Sequence, residues 1–133
     1  VAAAHAGWRG AKCGVLANAV ETMVSLGAER SRIAAAVGPT IAQVSYEVDE
    51  AFKDAFVADD PENARYFCDG RQGHCQFDLP AFVMAQLRGA GVAMVEDTAL
   101  DTYADPARFY SFRRATHRGE ATYGRQGAFI GLE

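Results

Sequence analysis

Lysine is nearly missing from this sequence: Lys12 and Lys53 are the only lysines among 13 basic residues, against 17 acidic ones, for a formal net charge of -4. A balance of that sign excludes a protein whose main partner is nucleic acid. Cysteine is scarce too, and Cys13, Cys68 and Cys75 make an odd set of 3. That excludes a dense disulfide scaffold and fits a reducing cytoplasm. No apolar run approaches the roughly 18 to 20 residues of a membrane span, and no basic stretch leads into an apolar one as a signal segment does. The glycines form neither a phosphate loop nor a dinucleotide fingerprint. No internal repeat or low-complexity linker is present.

What the sequence does have is core material. Hydrophobic residues make up 50% of it, enough to fold as one domain over residues 1–133. It opens Val1-Ala-Ala-Ala-His5-Ala-Gly-Trp8-Arg9-Gly10, which reads as an apolar strand running into a helix. Such a junction exposes side chains at a sheet edge and presents free backbone N–H groups to an anion. Imidazole at His5 can serve as an acid, a base or a metal ligand. Trp8 supplies a flat face for a ring, and Arg9 a fork for an anion. Gly7 and Gly10 also suit any tight β-to-α turn, so a packing role and a site role both stand. A chain that starts on a strand is expected to continue upstream of Val1.

Apolar residues at Val15, Leu16, Ala19, Val20, Met23 and Val24 predict a helix stopped by Gly27. Ile33 to Val37 predicts a buried strand ended by Gly38-Pro39. Phe52 and Phe56 share one face of a helix over 49–58, and Asp59 to Asn63 reads as a loop. Tyr66-Phe67-Cys68 and Cys75-Gln76-Phe77 flank a turn and predict a hairpin. Asp78 caps a further helix with Pro80 in its first turn and Leu79, Phe82, Val83 and Leu87 on its buried side. Val92 to Val95 and Gln126 to Leu132 predict strands, and the pattern weakens between them. Helices and short strands mix without a steady βαβ rhythm, so the fold class is α+β.

Cys68, His74 and Cys75 have zinc-favouring side chains, but their spacing is wrong for a zinc knuckle and neighbouring strand positions face opposite ways. No local signature selects a Cys nucleophile with a His base. Arg108, Arg113, Arg114, Arg118 and Arg125 crowd the C-terminal stretch beside Phe109, Tyr110, Phe112 and Tyr123. Rings hold a base or phenol by stacking and guanidinium forks hold phosphate. A salt-bridged surface would use the same residues. The residues alone therefore point to a small-molecule site with an anionic component.

Taken in order, His5-Ala-Gly-Trp-Arg-Gly10, Gly38-Pro39-Thr-Ile41, Tyr46-Glu47-Val48, Phe77-Asp78-Leu79, Phe109-Tyr110-Ser111-Phe112-Arg113-Arg114 and Gly124-Arg125 resemble the YfiH-type family. That family is also called the laccase-domain or polyphenol oxidase family and is related to purine nucleoside phosphorylases. The resemblance implies mixed β-sheets sandwiched between helices in α/β/β/α layers, with 1–133 as the C-terminal part of one such domain and the N-terminal half missing. It also implies a cytoplasmic protein with a zinc site of two His and one Cys. His5 matches one ligand, and the other two would lie upstream.

The implied activity is phosphorolysis of adenosine, inosine and guanosine, in some members with adenosine deamination and methylthioadenosine cleavage. Purine nucleosides and phosphate are then the partners, with no nucleic acid and no membrane. His5 and Arg9 are the expected catalytic residues, and Trp8, Arg113, Arg114 and Arg125 the expected substrate contacts. Copper-dependent phenol oxidation is the rival within the family, disfavoured because a multicopper centre needs more His and Cys than this sequence supplies. Two further readings are an amide hydrolase that edits peptidoglycan precursors and a non-catalytic interaction module. The chain departs from the family at Gln43-Val44-Ser45 and at Asp101-Thr102, where relatives often carry cysteine.

Overall fold

A computed structural model describes residues 1–132. It is α+β, with one parallel and one antiparallel sheet, as the sequence predicts. The chain forms two compact units, the first from Val1–Gly38, Phe82–Thr98 and the residues from Gly127, the second from Pro39–Ala81 and Ala99–Gln126.

In the first unit, α1 (Trp8–Lys12) and α2 (Val15–Ser25) follow one another. The three-to-four spacing of α2 buries Leu16 and Val20, as an amphipathic helix requires. Strands β1 (Ala34–Val37) and, later in the chain, β5 (Met94–Asp97) pair in parallel, from Ala34 opposite Met94 to Val37 opposite Asp97. Arg30 ties the unit together. Its guanidinium donates to both carboxylate oxygens of Glu21 on α2 at 2.7 and 2.8 Å and to the Ala90 carbonyl at 2.6 Å. Gly91, at φ +87°, leaves the space that the Arg30 chain fills.

In the second unit, β2 (Glu47–Asp49), β3 (Phe67–Asp69) and β4 (His74–Phe77) form an antiparallel sheet with β4 in the centre. Asp49 caps α3 (Glu50–Asp59), its carboxylate accepting from the Phe52 N–H at 2.8 Å. The cap sets the helix so that Phe52 and Phe56 reach Phe67 and Phe77 on the sheet. The Phe56 and Phe77 ring centroids are 4.9 Å apart, and those of Phe67 and Phe77 4.8 Å. Phe56 and Phe77 have no exposed surface. Such pairs each add about 0.5–1.5 kcal/mol to the burial of their area. Helix α4 (Leu79–Gly89) follows β4, its first turn in the second unit and Phe82 onward in the first, with the Asp78 carboxylate accepting from the Ala81 N–H, and buries Leu79, Phe82, Val83 and Leu87 as expected.

Five expectations need correction. Val1–Ala4 and Gln126–Leu132 form no strand; an apolar run marks a surface that suits a sheet, but a ladder needs a partner backbone, and none pairs with either among the described residues. The strand expected over Ile33–Val37 forms only at Ala34–Val37, where residues alternate between exposed and half-buried, and Ile33 is buried just before it. Asp59–Asn63 is no loop: Asp60 accepts from the Glu62 N–H at 2.9 Å and Pro61 opens a 3-10 turn running to Tyr66. Proline's fixed φ and missing N–H suit that first position. The predicted strand at Val92 starts two residues later, leaving Val92 as a core residue 2% exposed.

Candidate functional site

The N-terminal residues singled out by sequence lie together in the first unit. His5 and Arg9 are exposed and Trp8 is half-buried. The Arg9 guanidinium carbon stands 5.0 Å from the Trp8 ring centre, a cation–π contact that holds the fork against a flat apolar face. The His5 imidazole is open to solvent just before α1.

Arg113, Arg114 and Arg125 belong to the second unit, where α5 (Phe112–His117) carries the first two. Ser111 starts α5, its hydroxyl oxygen accepting from the Arg114 N–H. Arg113 donates to the Glu47 carbonyl and lies 5.0 Å over the Tyr46 ring. Arg114 donates to the carbonyls of Thr102 at 2.6 Å, Tyr103 at 2.8 Å and Phe109. The Arg114 fork is thus held by backbone, which makes it a brace for the loop leading into α5, and one donor of Arg113 ties α5 to β2. Arg125 differs, being exposed and 5.0 Å over the Tyr123 ring.

A concavity of about 420 Å³ opens beside this helix, lined among others by Tyr110, Ser111, Arg118, Glu120, Thr122 and Tyr123. In sequence Arg118 stands out only as a member of the C-terminal arginine crowd. The signal that marks it is the interleaving of rings with forks from Phe109 to Arg125.

A second clamp leaves no sequence signal of its own. The Asp101 carboxylate accepts from the Ser45 hydroxyl at 2.6 Å and from the N–H groups of Tyr103 at 2.8 Å and Ala42 at 3.3 Å. Burial alone would raise its pKa, but these hydrogen bonds outweigh it and hold the carboxyl below the ordinary value.

Thiol chemistry finds little support. Cys75 is buried, which pushes its thiol up from the ordinary value and keeps it protonated, although Lys53 pulls the other way. His74 accepts at Nε2 from Arg71 at 2.6 Å, so its ring proton sits on Nδ1, facing the Gln72 carbonyl. His117 meets the Tyr103 hydroxyl through Nδ1 at 2.9 Å. Among the described residues, no three His, Cys, Asp or Glu side chains are grouped as a metal site. The donors among these residues, His5 included, therefore do not by themselves make a complete zinc or copper centre. No helix among the described residues is long and apolar enough to cross a membrane.

Comparison with known proteins agrees with this ordering of motifs. A purine nucleoside phosphorylase of Rickettsia conorii is 40% identical over 121 residues, which is 90% of this chain and 50% of that protein. One of Deinococcus radiodurans is 40% identical over 133 residues, 99% of this chain and 49% of that protein. Among solved structures, the hypothetical protein YfiH of Bacillus licheniformis superposes with a TM-score of 0.76 at 28% identity, covering 90% of this chain and 46% of that one. YlmD of Geobacillus stearothermophilus gives 0.75 at 30% identity, covering 90% and 45%. The chain spans about half the length of the curated relatives it matches. The family model for multi-copper polyphenol oxidoreductase laccase matches residues 1–133, and the chain belongs to that family, in its YfiH-type branch.

Proposed function

We propose that this chain is part of a purine nucleoside phosphorylase, acting on adenosine, inosine or guanosine with phosphate in the cytoplasm. What carries the reading is the similarity of nearly the whole chain to proteins bearing that name, 40% identical in two of them. The reaction breaks the bond between ribose C1′ and the base nitrogen and joins a phosphate oxygen to C1′. The base leaves with the electron pair and takes up a proton. The products are the free base and ribose 1-phosphate.

In this reading Trp8 stacks on the base and Arg9 draws in the phosphate, while Arg125, in the second unit, is a phosphate contact considered by itself. Arg113 and Arg114 act as positioning residues through the carbonyls they hold. His5 moves a proton, or contributes one ligand to a zinc site completed by donors outside these residues. No step is drawn through the metal. Copper is the poorer choice, since His5, His74 and His117 stand in different parts of the chain, two of them already engaged by Arg71 and Tyr103. Adenosine deamination and methylthioadenosine cleavage would draw on the same base and ribose contacts.

The test is release of hypoxanthine from inosine with and without phosphate. Release that requires phosphate and falls in His5→Ala and Arg125→Ala supports the reading. Release that continues unchanged without phosphate would instead make the protein a hydrolase. Amide cleavage with no action on nucleosides would favour precursor editing.

A further inference from the structure

The concavity beside α5 gathers chemistry that nucleoside turnover, as drawn above, leaves unused. We propose that it is a binding site for a planar ring carrying a phosphate, the chemistry of a nucleoside monophosphate. The ring would lie against Tyr110 and Tyr123, and the phosphate would meet Arg118 and the hydroxyls of Ser111 and Thr122.

Size is the first support. A volume of about 420 Å³ lies within the roughly 300–1,000 Å³ typical of small-molecule sites.

Charge is the second. Arg118 faces Glu120 at 3.8 Å, too far for a hydrogen bond, while the neighbouring Arg114 spends its donors on three carbonyls. Arg118 therefore has donors to spare, and a phosphate would take them in bidentate fashion. The hydroxyl of Ser111 accepts from the Arg114 N–H but has its own proton to donate.

Rigidity is the third. The Tyr110 ring lies so close over Gly124 that an added Cβ there would collide with it. The Gln126 carboxamide grips the Tyr110 backbone twice, accepting from its N–H at 2.9 Å and donating to its carbonyl at 3.2 Å. Tyr123 is braced by Phe112, 5.3 Å between ring centres, and by Arg125. Two aromatic walls fixed this way lose little freedom when a ring settles on them.

Calorimetric titration of the purified protein with AMP, adenosine and inorganic phosphate, each alone, tests the proposal. AMP should bind saturably and at least about tenfold more tightly than either fragment. Arg118→Ala should weaken AMP about tenfold and leave adenosine unchanged, whereas Glu120→Gln, which removes the competing carboxylate, should tighten AMP. Both side chains are exposed, so Glu120→Gln serves even if Arg118→Ala disturbs α5. AMP binding no tighter than phosphate would mean an anion contact without a ring site and overturn the proposal. So would AMP binding indifferent to both substitutions, or no saturable binding in the low millimolar range. The outcome is separable from the phosphorylase reading: AMP binding with no phosphate-dependent cleavage of inosine sinks only that reading, and cleavage without AMP binding sinks only this one.

Discussion

Asp101→Ala should cost far more than its half-exposed position suggests. The substitution removes the acceptor for the Ser45 hydroxyl and for the N–H groups of Tyr103 and Ala42. Hydrogen bonds to a charged acceptor contribute about 1.5–3 kcal/mol each when buried. Here the 3.3 Å bond from Ala42 is weak, and water can reach part of the site. The expected loss is about 2–3 kcal/mol, or on the order of 7–11 °C in Tm for a chain of this size.

The pH dependence identifies the cause. Because folding lowers the Asp101 pKa, its contribution is full above the unfolded value of about 4 and is lost as pH falls through that value and below it. Urea unfolding of wild type and Asp101→Ala should therefore show a stability gap that is constant from about pH 7 to pH 5 and narrows as pH falls below about 4. Ser45→Ala should remove part of the gap, and the double variant should show coupling of about 0.5–3 kcal/mol. A gap that persists unchanged at about pH 3, or one under about 0.5 kcal/mol at about pH 7, would refute the argument that the ionised carboxylate holds this loop.

Phe77→Ala should destabilise the second unit by about 3–5 kcal/mol, seen as an early transition in thermal unfolding, because a fully buried ring at the centre of the aromatic cluster leaves a cavity. Gly91→Ala should be costly although it lies at a surface turn: its φ is +87° and the new Cβ would stand 2.7 Å from the Arg30 Cδ, so Arg30→Ala should partly relieve it in a double-variant melt. Thiol labelling should modify Cys13 and Cys68 quickly in the native state and Cys75 only on unfolding, since Cys75 is buried with a raised pKa. His5→Ala should leave Tm within about 1 °C of wild type, because the imidazole is exposed, while abolishing base release if the phosphorylase reading holds.

Elements that bury one face in their own sequence neighbourhood were legible. The spacing of Leu16 and Val20 in α2, the Asp78 cap of α4 and the hairpin around Gly70 each combine a local period with a local stop. What escaped depends on distant partners. Helix α5 has only 6 residues, too few for a period to show, and its rings and arginines read equally well as a ligand site. The role of Arg113 is fixed by a carbonyl 66 positions away in sequence, and that of Asp101 by a hydroxyl 56 away. Neither pairing leaves a mark in spacing. His5, Trp8 and Arg9 stand out in the sequence because glycines and an apolar lead frame them, although the lead itself makes no strand and both His5 and Arg9 are exposed.

The threading of the two units has a consequence for how the chain reaches this state. β1 and β5 are neighbours in space but lie on either side of the whole β2–β4 sheet in sequence, with Ala34 paired to Met94. Closing so long a loop is entropically expensive unless the intervening residues have already condensed. The antiparallel sheet with its aromatic cluster joins residues closer in sequence than β1 and β5 are, and can form first, drawing the ends of the loop together. On this route the parallel ladder is a late event. Substitutions at Phe77 should slow folding, whereas those in β1 or β5 should mainly quicken unfolding.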